Sequence, residues 1–389
     1  MTVMTDYREA TYVFVTSESG PRLGRVDRRL LKVMRALIAE DIDVELVCVP
    51  GSAAETRALE LSIPVSKTQI SSYNVLVTRS RLRDYLRRQR PNVAHSTGWL
   101  ADWSLRSAAP ESPRTVIVNS CDCLDWPSQP SGLLARWRRR LMRSNIERAD
   151  AVIVDCEQLA DELSAAGVQP ERLFFDAPSV DVERVMAEAA AGLTTPLPGH
   201  APHVGYAGAL LPSRGLAVLA QAAAILDMRR ASATVIVAGS GPGTPDLRDE
   251  VEARRLYLVA DPPSIPPVLA ALDVCVFPTL EPGTPTTLLE AAVLGRPIVA
   301  TAVSGISDLF VDGRQIALVP PDDPKALAAA IARLLDEPAL AAEMAARAQR
   351  HTLEHLSSAA SIERHRTLYE QLLGGYAPGA EEPLPASDR

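Results

Sequence analysis

Short apolar runs typical of buried strands alternate with longer stretches of helical periodicity along most of this 389-residue chain. The first run, TYVFVT at 11–16, leads through a loop into the helical stretch VDRRLLKVMRALIAED, and DVELVCV follows at 43–49. These runs do not alternate strictly between apolar and polar residues, which indicates strands covered on both faces and therefore a parallel sheet. The same rhythm continues through the runs at 92–96, 115–120 and 151–155. The pattern predicts an α/β fold with a doubly wound parallel sheet.

A break in this rhythm divides the chain. After residue 178 a short helical stretch is followed by a Pro- and Gly-rich segment, and a second series of strand patterns then starts with VGYAGA. We therefore predict a Rossmann-like domain at 1–180, a linker at 181–203 and a second Rossmann-like domain at 204–355. The later strand patterns lie at 234–240, 256–260, 274–278 and 297–302. Two such domains predict a ligand cleft between the carboxyl ends of two sheets.

The last part of the chain has two different characters. The stretch LSSAASIERHRTLYEQLL at 356–373 has helical periodicity, and we expect this helix to complete the N-terminal domain. Residues 374–389 are rich in proline, glycine and acidic residues, which predicts a disordered tail.

Charge and composition exclude several classes of protein. The net charge of −8 disfavours a dedicated nucleic-acid binder, because neutralising phosphates needs a basic face. No apolar run approaches the roughly 18 residues of a membrane-spanning helix, and no secretory signal is visible, so we expect a cytoplasmic protein. Two arginine-rich stretches, 79–90 and 133–143, either contact anionic lipid at the inner face of the membrane or form solvated faces of packed helices.

The most informative segment is FPTLEPGTPTTLLEAAVLGRPIVATAVSGISDL at 277–309. A strand ends at its start, Gly283 allows a positive φ in the loop, Thr284 is suited to cap a helix, and Pro285 suits the first helical position. The N-terminus of that helix would present free amides near Thr286 and Thr287 to an anion, most naturally a diphosphate. Further along the helix, Glu290 is placed to accept hydrogen bonds from a ribose diol. The alternative is an ordinary helix cap followed by a solvated glutamate.

Two more glycine-rich strand ends support a phosphate site. VGYAGALLPSRGL at 204–216 contains Gly208, where backbone can approach a ligand closely, and Arg214, which can bind a diphosphate with two hydrogen bonds. AGSGPG at 238–243 contributes Gly239 and Gly241. Three glycine-rich elements at strand ends of one domain predict a nucleoside-diphosphate site, with base contacts around 258–264.

These motifs carry a family resemblance. GALLPSRG, GSGPG, LDVCVFPT, GTPTTLLEAAVLGRPIVAT and the following VSGISDLFVDGRQIALVPPDDPKALAAAI make residues 204–345 resemble the C-terminal domain of GT-B fold glycosyltransferases, most of all glycosyltransferase family 4. QRPNVAHSTGW at 89–99 and RADAVIVDCEQLADEL at 148–163 are similar to that family's N-terminal domain more loosely. The resemblance implies a GT-B fold of two Rossmann-like domains facing across a cleft. It also implies retaining transfer of a sugar from a UDP- or GDP-sugar to an acceptor hydroxyl, in glycan, glycolipid or natural-product biosynthesis.

The chain departs from the family pattern at the donor site. The family usually has two glutamates separated by seven residues; Glu290 matches the second, whereas Glu281 lies one residue too far away to match the first. The family's pair of basic residues at the diphosphate is reduced here to Ala209 and Arg214. We predict Arg214 and Glu281 as catalytic residues, together with Asp122 in the N-terminal domain. The lost charge leaves open a catalytically weak or inactive GT-B partner or scaffold protein, and another GT-B chemistry such as epimerisation or phosphorolysis is a third possibility.

The resemblance places the acceptor on the N-terminal domain. NSCDCLD at 119–125 puts Cys121 where the family has a histidine, and Asp122 is expected to orient the acceptor hydroxyl, or else forms a loop turn. The remaining acceptor candidates follow the first and third strands, and each has a structural alternative as a solvated loop or core residue: Gly20, Arg22, Arg25, His95 and Trp99, with Asp102 close behind. No metal-binding motif is visible, and no cofactor is expected, because the nucleotide-sugar is a substrate.

Overall fold

In the computed structural model, the described residues are 6–17, 24–68, 70, 74–108, 115–121, 149–228, 233–243 and 256–375. They form two compact units: the first runs to Asp176 and resumes at Ser361, and the second runs from Ala177 to Ala360. The segment at 181–203, predicted to be a linker, therefore belongs to the second unit by its packing.

The first unit is built on a six-stranded parallel sheet of order β2-β1-β3-β4-β5-β6. Its strands are β1 Tyr12–Thr16, β2 Val44–Val47, β3 Val93–Thr97, β4 Val116–Ser120, β5 Ala151–Val154 and β6 Leu173–Phe175. Its helices among the described residues are α1 Arg25–Ala39, α2 Ala53–Glu60, α3 Val75–Gln89, α4 Trp99–Ala108 and α5 Glu157–Ala165.

Strand β1 shows why the apolar runs do not alternate. Tyr12 and Phe14 belong to one hydrophobic cluster, and Val13 and Val15 belong to another. Successive side chains of a strand point to opposite faces of the sheet, so both faces of this sheet are covered and every residue of β1 is buried. The prediction of a parallel sheet covered on both sides is confirmed.

The second unit contains another six-stranded parallel sheet, of order β12-β11-β10-β7-β8-β9. Its strands are β7 His203–Ala207, β8 Thr234–Gly239, β9 Tyr257–Ala260, β10 Val274–Phe277, β11 Ile298–Thr301 and β12 Ala317–Val319. The helices described in this unit are α6 Val182–Ala190, α7 Leu216–Met228, α8 Pro266–Ala271, α9 Thr286–Val293, α10 Pro324–Asp336 and α11 Pro338–His355. Helix α6, inside the predicted linker, packs against α8 and α9.

The C-terminal helix α12, Ser358–Leu373, packs mainly within the first unit. Tyr369 on this helix is fully buried, and its hydroxyl lies 2.7 Å from His95 Nδ1 on β3. Asp176, at the end of the first unit, accepts hydrogen bonds from Ser361 (2.9 Å) and Arg364 (2.7 Å) on α12 and pairs with Arg29 on α1 (3.2 Å). These buried polar contacts attach α12, the last helix that the structure describes, to the rest of the first unit.

Candidate functional site

The second sheet changes its winding direction between β7 and β10. From β7 the chain moves outward through β8 and β9, and it then returns to the other side of β7 to add β10, β11 and β12. In open parallel sheets, the loops at the carboxyl ends of the strands separate at such a point and leave a crevice where ligands bind. The predicted donor residues follow the strands on either side of this point.

Close backbone approach at this point depends on glycines. A Cβ on Gly239 would lie 1.8 Å from the carbonyl oxygen of Gly208, and the φ of Gly239 is +139°. A Cβ on Gly208 would lie 3.1 Å from the hydroxyl oxygen of Thr287, at the start of α9. The structure thus brings together Gly208, Gly239 and Thr287, three residues predicted to bind the donor. Gly241 belongs to the same loop cluster, because a Cβ there would lie 2.2 Å from the Leu210 carbonyl oxygen.

Arg214 lies in a short 3-10 turn after β7. The next residue, Gly215, has a φ of +65°, and a Cβ there would lie 1.9 Å from the carbonyl oxygen of Pro278 at the end of β10. Burial raises the pKa of Tyr206 to about 12, and the nearby Arg214 charge opposes that rise. The Tyr206 hydroxyl donates to the Ala209 carbonyl (2.8 Å). Arg214 therefore lies beside the glycine turn that meets α9.

Helix α9 begins one residue later than the sequence predicted. Pro285 holds the N-cap position with extended dihedrals, and no side chain caps the helix. The predicted cap, Thr284, instead donates its hydroxyl to the Gly305 carbonyl (2.5 Å), because the loop after β11 lies against this segment. The first amides of a helix have no acceptor inside it, so the region of Thr286 and Thr287 keeps the anion-binding character that the sequence indicated.

The loop after β11 contacts the segment before α9 and fixes the start of this helix. These contacts were not predicted from the sequence. Gly283 donates its N–H to the Ser304 carbonyl (2.7 Å). Asp308, which is buried, accepts from the Ser304 hydroxyl and the Gly305 N–H, both at 2.8 Å. A Cβ on Gly305 would lie 2.7 Å from Gly283 Cα. The sequence signal for these contacts is SGISD at 304–308, near the end of the segment 277–309.

Glu290 is buried, with its side chain 8% exposed, and pairs with Arg184 on α6. Arg184 also donates to Glu188 (2.9 Å), and Glu188 in turn accepts from the Ser264 hydroxyl. The predicted alternative of a solvated Glu290 is thereby excluded. Arg184 and Glu188 were missed because they lie in a segment interpreted as a linker and their partners are far along the chain.

The two departures from the family pattern lie at the surface of the second unit. Ala209 and Glu281 are both exposed. Ala209 carries no charge, so Arg214 is the cation that the predicted pair retains. The catalytic role of Glu281 at the donor sugar stays a prediction.

His95 requires a correction in the first unit. Its position at a strand end predicted an acceptor contact, yet its side chain is fully buried. Its Nδ1 lies 2.7 Å from the Tyr369 hydroxyl, and its Nε2 lies 2.8 Å from the Ser120 hydroxyl. Both ring nitrogens are therefore engaged inside the unit, and His95 is a core residue that joins β3, β4 and α12.

Polar side chains cluster instead at the carboxyl ends of β1, β3 and β4. Asp102, buried on α4, accepts from the Ser96 hydroxyl (2.7 Å) and from the Asn119 amide (3.0 Å). Nearby along the sheet, Asp27 on α1 accepts from the Thr16 hydroxyl (2.9 Å). The first sheet reverses its winding between β1 and β3, so this cluster occupies the position where a ligand crevice is expected.

The remaining acceptor predictions fall at the edge of what the structure describes. Gly20, Arg22 and Asp122 lie outside the described residues, and so does the stretch at 133–143. The backbones of Arg25 and Trp99 begin α1 and α4, but their side chains are not among the described parts of the structure. Within the other arginine-rich stretch, Leu82 and Leu86 of α3 are buried, and Arg79 lies 5.9 Å from the Trp103 ring centroid. Within the described residues, no helix combines the length and apolarity needed to cross a bilayer.

Comparison with known families accounts for both units. Residues 26–175 match the glycosyl transferase 4-like domain, and residues 201–337 match the glycosyl transferases of group 1. The chain belongs to the group 1 glycosyl transferases. The resemblance inferred from the sequence motifs is confirmed.

Named relatives of this chain are similar to it over part of their length. The chain is 32% identical over 152 residues to alpha-D-kanosaminyltransferase of Streptomyces kanamyceticus, covering 37% of this chain and 39% of that protein. It is 30% identical over 224 residues to D-inositol 3-phosphate glycosyltransferase 2 of Catenulispora acidiphila, covering 53% and 52%. The matched region thus spans about half or less of these relatives.

The fold agrees with solved GT-B structures. The structure of Anabaena Alr3699/HepE in complex with UDP has a TM-score of 0.75 and 17% identity, covering 92% of this chain and 98% of that one. At this identity the likeness shows the fold alone, and it confirms two Rossmann-like units of the GT-B type.

Proposed function

We propose that this protein is a retaining glycosyltransferase that moves a sugar from a nucleoside-diphosphate donor to an acceptor hydroxyl. The observation that carries the proposal is the meeting of the Gly208 turn, Arg214 and the N-terminus of α9 where the second sheet reverses its winding. Backbone amides and a helix dipole meet at this point, and the Arg214 charge acts on Tyr206 beside it, so the groups suit a diphosphate.

The same groups explain how the donor would be activated. As the bond between the anomeric carbon and the diphosphate oxygen breaks, negative charge grows on the leaving diphosphate. Arg214 and the amides near Thr286 and Thr287 are already in place, so they stabilise that charge without reorganising. Groups that bind the charged transition state more strongly than the ground state accelerate the chemical step. The reaction needs no cofactor, because the nucleotide-sugar is the substrate.

Glu290 supports a nucleotide rather than a simple phosphate as the ligand. It lies on α9, one turn beyond Thr286 and Thr287, and its side chain is buried. A carboxylate at this depth is suited to accept from the two hydroxyls of a ribose attached to the diphosphate. UDP is named in the complex of Anabaena Alr3699/HepE, which supports UDP as the first donor nucleotide to test, with GDP as the second.

The acceptor hydroxyl would attack on the face from which the diphosphate leaves, which gives retention. A new bond forms from the acceptor oxygen to the anomeric carbon, and the departing phosphate oxygen takes the hydroxyl proton. No side-chain nucleophile is required. We assign acceptor recognition to the first unit, where Gly20, Arg22, Arg25, Trp99 and Asp122 stay as predictions and the cluster around Asp102 is added.

Turnover and binding test this proposal. The full chain, offered a panel of UDP- and GDP-sugars, should release a nucleoside diphosphate faster when an acceptor is present. NMR of the product should show the donor's anomeric configuration. A Glu290→Gln variant should weaken nucleoside-diphosphate binding roughly tenfold or more, as expected for a lost hydrogen bond to a charged group. Equal binding by wild type and this variant would contradict the site.

A second candidate function is a binding or scaffold protein with little or no catalysis. It is favoured by the exposed Ala209, which removes one cation from the diphosphate site, and by the exposed Glu281. This candidate predicts that wild-type protein binds nucleoside diphosphates but releases none from any donor with any acceptor. Catalytic turnover in the same panel excludes it.

A cytoplasmic location, with peripheral contact to anionic lipid, stays a proposal. In the first unit, Leu76 on the basic helix α3 is 71% exposed, which supports a helix face able to touch a membrane surface.

A further inference from the structure

Arg184 joins three elements of the second unit. Its guanidinium, on α6, pairs with Glu290 on α9 and donates to Glu188 one turn further along α6. Glu188 also accepts from the Ser264 hydroxyl, in the loop before α8. Ser264 ends the stretch at 258–264 for which the sequence predicts base contacts. One arginine thus connects the predicted ribose carboxylate with the predicted base loop.

The two side chains of the Arg184–Glu290 pair differ in their exposure to solvent. The Glu290 side chain is 8% exposed, whereas the Arg184 side chain is 44% exposed. A buried carboxylate without a cation would be costly to keep ionised. Burial works against the charge of Arg184, yet its hydrogen bonds to Glu188 and Glu290 outweigh burial and raise the pKa of Arg184. The guanidinium of Arg184 therefore stays charged, and the carboxylate oxygen of Glu290 that it contacts is held at a fixed place.

We propose that Arg184 is a positioning residue for the donor ribose: it holds the Glu290 carboxylate in the orientation that receives the ribose hydroxyls. This inference rests on the proposed function. A carboxylate oxygen has two acceptor sites, so Arg184 and a ribose hydroxyl can share Glu290. Through Glu188 and Ser264, the arginine also fixes the ribose carboxylate relative to the loop expected to contact the base.

The experiment compares a nucleotide that carries the 2′-hydroxyl with one that lacks it. Calorimetric titrations of the full chain would use UDP against 2′-deoxy-UDP, and GDP against 2′-deoxy-GDP. Wild type should prefer the ribonucleotide by roughly tenfold or more. Glu290→Gln should abolish the preference. Arg184→Ala should reduce it several-fold while leaving affinity for the deoxynucleotide nearly unchanged, and Arg184→Lys should restore part of it.

A matched control is available on α11. The Arg347 side chain is also 44% exposed and pairs with Glu343 four residues away. Arg347→Ala removes an equally exposed arginine and should leave the ribonucleotide preference at the wild-type value. Melting temperatures of all variants show whether the second unit is intact, and Arg184→Lys keeps the test informative if Arg184→Ala does not fold.

Two outcomes overturn the role of Arg184 without touching the proposed function. In one, Arg184→Ala keeps the full preference for the ribonucleotide, so Glu290 does not need the arginine. In the other, Arg184→Ala weakens both nucleotides equally, which indicates a general structural contact. Failure of wild type to bind either nucleoside diphosphate contradicts the proposed function itself.

Discussion

The two sheets reverse their winding at comparable points but surround those points with different chemistry. In the second unit, the strand ends on either side of β7 and β10 carry glycines, one half-buried arginine and the start of α9. In the first unit, the ends of β1, β3 and β4 carry a buried hydrogen-bonded set of hydroxyl, carboxylate and amide side chains: Thr16, Asp27, Ser96, Asp102 and Asn119.

The two sets of groups favour different ligands. Phosphate oxygens need N–H donors and positive charge, which backbone near glycine and a helix N-terminus supply. Carboxylates such as Asp27 and Asp102 repel phosphate but accept hydrogen bonds from neutral hydroxyls. A diphosphate donor therefore fits the second unit, and a hydroxyl-bearing acceptor fits the first.

The comparison is tested most severely by adding one methyl group to the glycine site. Gly239→Ala would put a Cβ 1.8 Å from the Gly208 carbonyl oxygen at a φ of +139°, so backbone must move. We expect overpacking and backbone strain together to lower the unfolding free energy by roughly 3 to 5 kcal/mol. Nucleotide binding should also be lost, and urea denaturation and calorimetry measure the two effects. Gly313→Ala is the control: at a φ of +69° and with open space around it, it should cost about 1 kcal/mol. Equal costs would show that close approach at Gly239 does not matter.

Arg214 tests whether charge in the second unit drives the reaction. Arg214→Ala should lower kcat by about 10²- to 10³-fold, the usual effect of removing one group that stabilises developing charge. Arg214→Lys should recover part of this loss, because lysine keeps the positive charge. The recovery should be incomplete, because an ammonium group lacks the planar arrangement of donors that binds a diphosphate with two hydrogen bonds. The measurement is initial-rate kinetics with the best donor from the panel. A kcat unchanged in Arg214→Ala would place the leaving diphosphate elsewhere.

The buried histidines of the first unit predict a pH dependence that the donor site does not require. Burial lowers the pKa of His365 to about 4, against a partial rise from Asp176, and burial together with His365 lowers the pKa of His95 well below its usual range. As the pH falls below 6.5, these two histidines bind protons in the unfolded chain but stay neutral in the folded chain. Stability is therefore complete above pH 6.5 and declines as the pH falls toward 4, by roughly 3 kcal/mol for His365 alone.

Hydrogen exchange of peptides from α12 and β3 between pH 7 and 4.5 measures this decline in place. The variant His365→Asn should flatten it, whereas replacing the exposed His200 with glutamine should leave it unchanged. Protection of α12 that does not change over this range would contradict the argument.

Much of the fold could be predicted because the strands are apolar on both faces. Ten strands were found with ends shifted by one or two residues, and β6 and β12 were missed because three residues at a sheet edge carry too little pattern. The C-terminal helix was expected at 356 and begins at Ser358. Local patterns thus sufficed where the periodicity extended over four or more residues.

The candidate site could be predicted only where its residues belong to a recognisable local sequence motif. Gly208, Gly239 and Thr287 follow strand ends in recognisable motifs, and the structure brings them together. Arg184 could not be predicted, because its partner Glu290 lies 106 residues away and nothing in the α6 sequence points to it. The reverse error occurred at His95, where a position near a strand end indicated a ligand contact and the fold placed the ring in the core.

The smallest change is expected from a substitution in the first unit. Asp102→Asn keeps the shape of the side chain but removes the charge that accepts from Ser96 and Asn119. We expect a loss of about 1 to 2 kcal/mol in unfolding free energy and a raised KM for the acceptor, while the Kd for the nucleoside diphosphate stays within twofold of wild type. Calorimetry and acceptor-dependent kinetics measure the two quantities separately. A tighter Kd for the nucleotide in this variant would mean that the Asp102 charge acts on the phosphates, and the division of ligand chemistry between the two units would then be wrong.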